Sequence, residues 1–183
     1  MSRAPGASLL LVILAACAGA ACAGADRGVV GPNEARCLDA PSSPLPVVGL
    51  IPDALRAVEA AYGSPQRYFE VSADSRRVGV IVAVDDATAA EQAFYCGAAG
   101  FAPPEPVGPA NGSTFAADAV RFDPETVFDR LRAELDDPTI LDFAVQGAAS
   151  GAVVFDATVV SESGGILLVL LGPNGQILGA QGQ

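Results

Sequence analysis

Leu141-Asp142-Phe143-Ala144-Val145 carries large apolar side chains at alternate positions, with polar or small residues between them. Successive side chains of a strand point to opposite faces, so this is the pattern of a half-buried strand. Phe69 and Val71, each 74 positions before Phe143 and Val145, stand in the same phase within Arg67 to Ala73. The same offset carries Ala54 to Phe128, Val58 to Arg132 and Ile81 to Phe155. Helix, first strand and first turn match without a gap, which points to a structural repeat, although Val58 to Arg132 breaks the apolar match.

Outward from the first strand, Pro52 and Asp53 open a helix, proline in its first turn and acid at the positive end of its dipole. Ile51, Leu55, Val58 and Tyr62 form one apolar stripe, and Gly63-Ser64-Pro65 stops it. Arg67 to Ala73 and Val78 to Val84 read as strands joined at Asp74-Ser75-Arg76. Glu91 to Gly97 reads as a third strand, while Ala89 to Phe94 reads equally as helix. Gly100 and Pro103-Pro104-Glu105-Pro106 end the unit, and Val107 to Ser113 is a linker whose Asn111-Gly112 pair signals a turn. Asp123-Pro124-Glu125 opens the second helix, with Val127, Phe128, Leu131 and Leu135 as its stripe and Asp136-Asp137-Pro138 as its stop. Strands follow at Val153 to Val160 and Ile166 to Leu171, and Asn174-Gly175 closes a hairpin onto Gln176 to Gly179. The expected fold class is therefore α+β: two tandem units of one helix followed by a 3–4-stranded antiparallel sheet, at residues 47–103 and 120–183, with a linker at 104–119.

Ile166-Leu167-Leu168-Val169-Leu170-Leu171 is apolar at every position, and Val78 to Val84 nearly so. A strand with one wet face would alternate. Both faces of these strands are expected to be covered: one by a helix, the other by the second unit, a bound apolar molecule or another protein. A wet face would forgo about 25 cal/mol per Å² of apolar area.

The amino-terminal 25 residues read as an export signal. Arg3 supplies positive charge, Leu9-Leu10-Leu11-Val12-Ile13-Leu14 the apolar core, and small residues a cut site. Ala23-Gly24-Ala25 before Asp26 fits ordinary secretion, and Ala7 to Ala25 has the length of a membrane span. Leu14-Ala15-Ala16-Cys17 resembles the lipobox of bacterial lipoproteins, in which the cysteine is diacylated and becomes the mature first residue. That resemblance implies a signal peptide at 1–16, lipidation at Cys17, a flexible tether at 17–46 and attachment to the outer face of the cell membrane. Two acyl chains suffice for a lasting anchor. The Pro41-Ser42-Ser43-Pro44-Leu45-Pro46 run suits an extended spacer.

With Cys17 acylated, Cys22, Cys37 and Cys96 remain. Spacing leaves three pairs open; export favours pairing, and Cys37 with Cys96 is the expected bridge, pinning the tether to the end of the first unit.

Composition removes several chemistries. The formal net charge is −11 and histidine is absent, and all ten basic residues are arginine. Nucleic acid is an improbable partner, since phosphate binding needs clustered cations. Serine–histidine and cysteine–histidine catalysis lack their base, most zinc sites lack ligands, and Schiff-base chemistry lacks a lysine. No metal, cofactor or catalytic residue is expected. Asp85-Asp86 and Asp136-Asp137 read as solvated turn and helix-end residues, without EF-hand spacing. Arg76-Arg77 reads as a solubilising turn tip, and Asn111-Gly112-Ser113 as a turn. The all-arginine, Ala/Gly/Val-rich composition points to a GC-rich genome of actinobacterial type.

The order helix-then-strands, in tandem, resembles the PepSY-type module of bacterial envelope proteins, and Val169-Leu170-Leu171-Gly172-Pro173-Asn174-Gly175-Gln176-Ile177-Leu178 is similar to that family's last hairpin. The architecture also resembles the beta-lactamase inhibitor protein. Both resemblances imply non-catalytic binding or inhibition outside the cytoplasm, with another envelope protein as partner. The alternative is a carrier of lipid or another apolar ligand, with Ile166 to Leu171 as one cavity wall. Two carboxylates converging in a cleft would point instead to carboxylate chemistry.

Overall fold

The computed structural model describes residues 37–135, 138–161 and 164–182. It contains helices α1 (Ile51–Tyr62) and α2 (Asp129–Glu134). The strands are β1 (Arg67–Ala73), β2 (Val78–Val84), β3 (Ala89–Tyr95), β4 (Phe101–Pro109), β5 (Phe115–Ala116), β6 (Thr139–Gly147), β7 (Val153–Val160), β8 (Ile166–Leu171) and β9 (Ile177–Gly182). All nine belong to one antiparallel sheet of order β4-β3-β2-β1-β6-β7-β8-β9, with β5 added on β1. No helix among the described residues is long and apolar enough to cross a membrane.

This overturns the expectation of two tandem helix-plus-sheet units. The two strands that define the 74-residue offset do not belong to separate sheets: β1 pairs with β6, Val71 opposite Val145. Joining them there satisfies the backbone of both strands, which two separate small sheets would leave as open edges. One core then runs along one face of the whole sheet, from Ile51, Leu55 and Val58 of α1 to Val127 and Leu131, and on to Val169 and Leu171.

The second helix is also shorter than expected. Asp123 does start a turn: Glu125 donates to its side chain at 3.0 Å and Val127 to its carbonyl at 2.9 Å. The α-helix itself covers only Asp129–Glu134. Its expected stripe is still inside, since Val127, Phe128 and Leu131 are buried. The turn between β8 and β9 lies against this segment, and a Cβ on Gly175 would stand 2.3 Å from the Val127 carbonyl oxygen. Only glycine permits that approach, at a φ of +76°.

Bulges reset the phase of both seam strands. In β1 the register slips between Tyr68 and Glu70, so Tyr68 and Val71 both enter the core while Phe69 turns to the opposite face. In β6 the slip between Ile140 and Asp142 buries Ile140 and leaves Leu141 43% exposed. An extra residue in one strand moves its neighbours to the other face, which strict alternation cannot foresee.

Phe101–Pro109, read as the end of a unit and the start of a linker, is an edge strand paired with β3. Its four prolines lack N–H groups, which an edge strand tolerates because only one side bonds. The ambiguous stretch before it is strand β3. Cys37 and Cys96 form the expected disulfide. They pack with Ala40 in a small cluster separate from the main core, with Phe94 against it. Cys17, Cys22, Asp136 and Asp137 lie outside the described residues.

Candidate functional site

The helices and the 115–135 segment cover one face of the sheet; the other face holds a groove of about 560 Å³ across its middle. Register defines its floor. Gly79 on β2 stands opposite Ser72 on β1, Ser72 opposite Ala144 on β6, and Ala144 opposite Asp156 on β7. Three small residues in a row leave a trough, closed at one end by Phe94, opposite Gly79 on β3, and at the other by Asp156. Gly79 itself has little room, since a Cβ would meet Ser72 Oγ at 3.3 Å and the Phe94 ring at 3.4 Å.

The walls are polar. Glu70, Gln92 and Gln146 line the groove on one side of this row, with Asp74, Asp142 and Thr158 on the other. The Arg77 guanidinium lies 4.8 Å above the centre of the Phe94 ring, and its Nε donates to Asp74 Oδ2 at 3.0 Å. The Asp74 carboxylate also accepts the backbone N–H groups of Arg76 and Arg77. Arg76 has a structural task beyond solubility: it donates to the carbonyls of Leu38 and Ala40 at 3.2 and 2.7 Å, holding the segment beside the disulfide.

Asp156 is the one buried charged side chain among the described residues, 7% exposed, and it makes no hydrogen bond there. Burial raises its carboxyl from 3.8 to about 6, and the charges of Asp142 and Glu70 push in the same direction. Burial likewise raises Glu70, with the Ser72 hydroxyl pulling back and Asp142 adding to the rise. These acids are not a metal cage: no group of three possible ligands among the described residues could hold an ion. The sequence reading missed this trio because Glu70, Asp142 and Asp156 are scattered singly over 87 positions and only strand pairing assembles them. Asp85 and Asp86, the acid pair it weighed, sit exposed in the β2–β3 turn.

Asp156 has a consequence for stability. Its folded carboxyl binds a proton more tightly than the unfolded one, so its contribution is most favourable below 3.8 and is lost as the pH rises through about 6. Asp156→Asn removes the buried charge without changing shape. It is expected to stabilise the fold at pH 7.5 by roughly 1–3 kcal/mol and to flatten the pH dependence between 4 and 6. Urea unfolding of both proteins at pH 4.5 and 7.5 checks this; parallel curves at both values would mean the carboxylate is already well solvated.

A second, mostly apolar groove of about 350 Å³ lies on the helical side, between α1 (Ile51, Pro52, Leu55) and Val120, Phe122 and Pro124. The expected coverage of β8 on both faces is not met by the described residues. Val169 and Leu171 are in the core, but Ile166 is 42% and Leu170 40% exposed. Leu168 of this strand lines the polar groove.

No protein-family model, curated protein or solved structure matches this chain.

Proposed function

We propose that this protein is an exported, lipid-anchored binding module that meets another envelope protein through the uncovered face of its sheet. The observation that carries the reading is that face: a polar trough lined at its β8 side by Leu168, with Ile166 and Leu170, two positions to either side of it on that strand, exposed. A polar centre beside exposed apolar area is what a protein partner can cover. The apolar stretch after Arg3 and the cysteine after Ala15-Ala16 support export and attachment at Cys17. A chain fixed by its first mature residue would hold the domain through residues 18–36, since the proline run at 41–46 is tied to the β1–β2 turn by Ser43 and Val47 N–H groups donating to Ser75 and Asp74.

The acids do meet the condition set above for carboxylate chemistry. Binding is favoured because the trough is open to solvent along its length and its nearest cation, Arg77, is engaged by Asp74. A general acid is more effective in a site that excludes water. The carrier alternative would have to use the helical-side groove in place of Ile166 to Leu171.

Two measurements in the native host test the proposal. Cys17→Ser is expected to move the protein from the membrane fraction to the medium, with loss of the acyl mass. A photo-crosslinking residue at Gln146, in the groove, is expected to give one discrete adduct that Asp156→Asn weakens. The same residue at Arg130, on the helical side, is expected to give none. Equal adducts from both faces, or a wild-type protein recovered without acyl mass, would overturn the reading.

A further inference from the structure

We infer that the trough receives the basic side chain of a lysine or arginine presented by the partner protein, its charged end lodged against Asp156 and its aliphatic stem lying on Ala144 and Ser72. This rests on the groove being the binding face proposed above.

Asp156 is more than nine-tenths buried yet lines the groove without a hydrogen-bond partner among the described residues. No side-chain oxygen among the described residues is both fully buried and unpartnered, so the Asp156 carboxylate, although its residue is largely covered, still opens onto the groove and is free to take a partner there. Among the described residues, the one cation that lines the groove, Arg77, is bonded to Asp74. Glu70 from β1 and Asp142 from β6 carry the same sign as Asp156, while Ser72, Ala144 and Thr158 are neutral. The β8 neighbour of Asp156 is Leu170, directly opposite in the register. A cation entering here meets Asp156, with the charges of Asp142 and Glu70 acting on the same site from the two walls, and its methylenes find a floor of small side chains. Ammonium and guanidinium groups on long stems have this shape: an apolar shaft with a charged tip. The source follows from the rim. Leu170, opposite Asp156, and Ile166, further along β8, are 40% and 42% exposed, apolar area that a free amine would leave wet and a protein surface would cover. The chain's net charge of −11 would speed encounter with a basic partner at low salt.

Cation binding and proton binding compete for the same carboxylates, so affinity should fall as the pH is lowered. The probe is the peptide acetyl-Gly-Leu-Lys-Leu-Gly-amide, titrated into isotope-labelled protein and followed by NMR. Norleucine in place of lysine is the neutral control. Carboxyl signals of Asp156, Asp142 and Glu70 are expected to shift. The norleucine peptide and the Asp156→Asn protein should each bind at least tenfold more weakly, and wild-type binding should weaken at least fivefold from pH 7.5 to pH 5. Ala144→Leu, which fills the floor, should abolish the shifts while leaving Asp156 buried. Equal affinity for the lysine and norleucine peptides, or free cadaverine bound more tightly than the lysine peptide, would overturn the inference. If the peptide fails while the Gln146 crosslink persists, the groove remains the binding face but does not recognise a cation. If both fail, the proposed function fails with it.

Discussion

Phe143→Ala is expected to cost about 3–5 kcal/mol of unfolding free energy, the range for truncating a fully buried phenylalanine. Phe143 lies at the seam of the sheet, opposite Ala73, and is wholly buried. Its ring meets Phe122 at 5.1 Å, Phe128 at 5.8 Å and Phe155 at 6.0 Å between centroids. Those three rings come from the segment before α2, from the turn entering it, and from β7. Truncation therefore removes ring contacts that bind the helical cover to the second half of the sheet, leaving the Phe122–Phe155 pair at 5.9 Å. In a chain of this size 1 kcal/mol shifts the melting temperature by about 2–4 °C, so thermal unfolding reads the effect easily. Phe69→Ala is the control. Phe69 is the counterpart of Phe143 at the 74-residue offset, but the β1 bulge places it on the other face, near Ile81 and Asn111. Its loss is expected to be about 1 kcal/mol. Equal losses at the two positions would show that both rings serve one continuous core.

That contrast explains what was legible beforehand. Val78–Val84, Val153–Val160 and Ile166–Leu171 are the strands that β-branched runs between turn signals indicate, and they appear with those bounds. Helix α1 likewise follows from Pro52, its apolar stripe and Gly63, whose φ is +71° at the helix end. The way the strands associate was not legible. An offset between similar segments is consistent with two units side by side or with one sheet in which those segments pair. Periodicity cannot separate these, because both arrangements bury the same faces. Composition hid β4: a run holding Pro103, Pro104, Pro106 and Pro109 reads as a breaker, and its strand character comes only from lying at an edge beside β3. The site was hidden for a related reason. Glu70 and Ser72 on β1, Asp142 on β6 and Asp156 on β7 are positions on the sheet face away from the helices. Their shared electrostatics arise from the β1–β6 and β6–β7 registers, which no local pattern encodes.

Removing the disulfide by Cys37→Ala with Cys96→Ala is expected to cost about 4 kcal/mol, the chain-entropy value for a loop of this length. The cysteines are 59 positions apart, with Cα atoms 5.4 Å apart, and the loop they close contains α1, β1, β2 and β3. That loop holds three of the four strands on one side of the seam, so the cross-link restrains much of the unfolded chain. Its native-state role is smaller. Cys37, Ala40 and Cys96 form a satellite cluster outside the main core, and the neighbouring segment has other ties. Arg76 holds the carbonyls of Leu38 and Ala40, Ser43 N–H donates to Ser75 at 2.7 Å, and Val47 N–H donates to Asp74 at 2.9 Å. The two contributions separate by experiment. If the bond acts through the unfolded chain, the double variant should keep its native hydrogen-exchange pattern in β1 to β3. Its denaturant slope should steepen, because the freed chain exposes more surface on unfolding. If the bond acts by holding the segment down, Arg76→Ala in the oxidised protein should be nearly silent, and in the double variant it should release residues 38–43 to rapid exchange. A loss under about 1 kcal/mol with an unchanged slope would count against the entropic account, since it would mean the unfolded chain already keeps Cys37 close to Cys96.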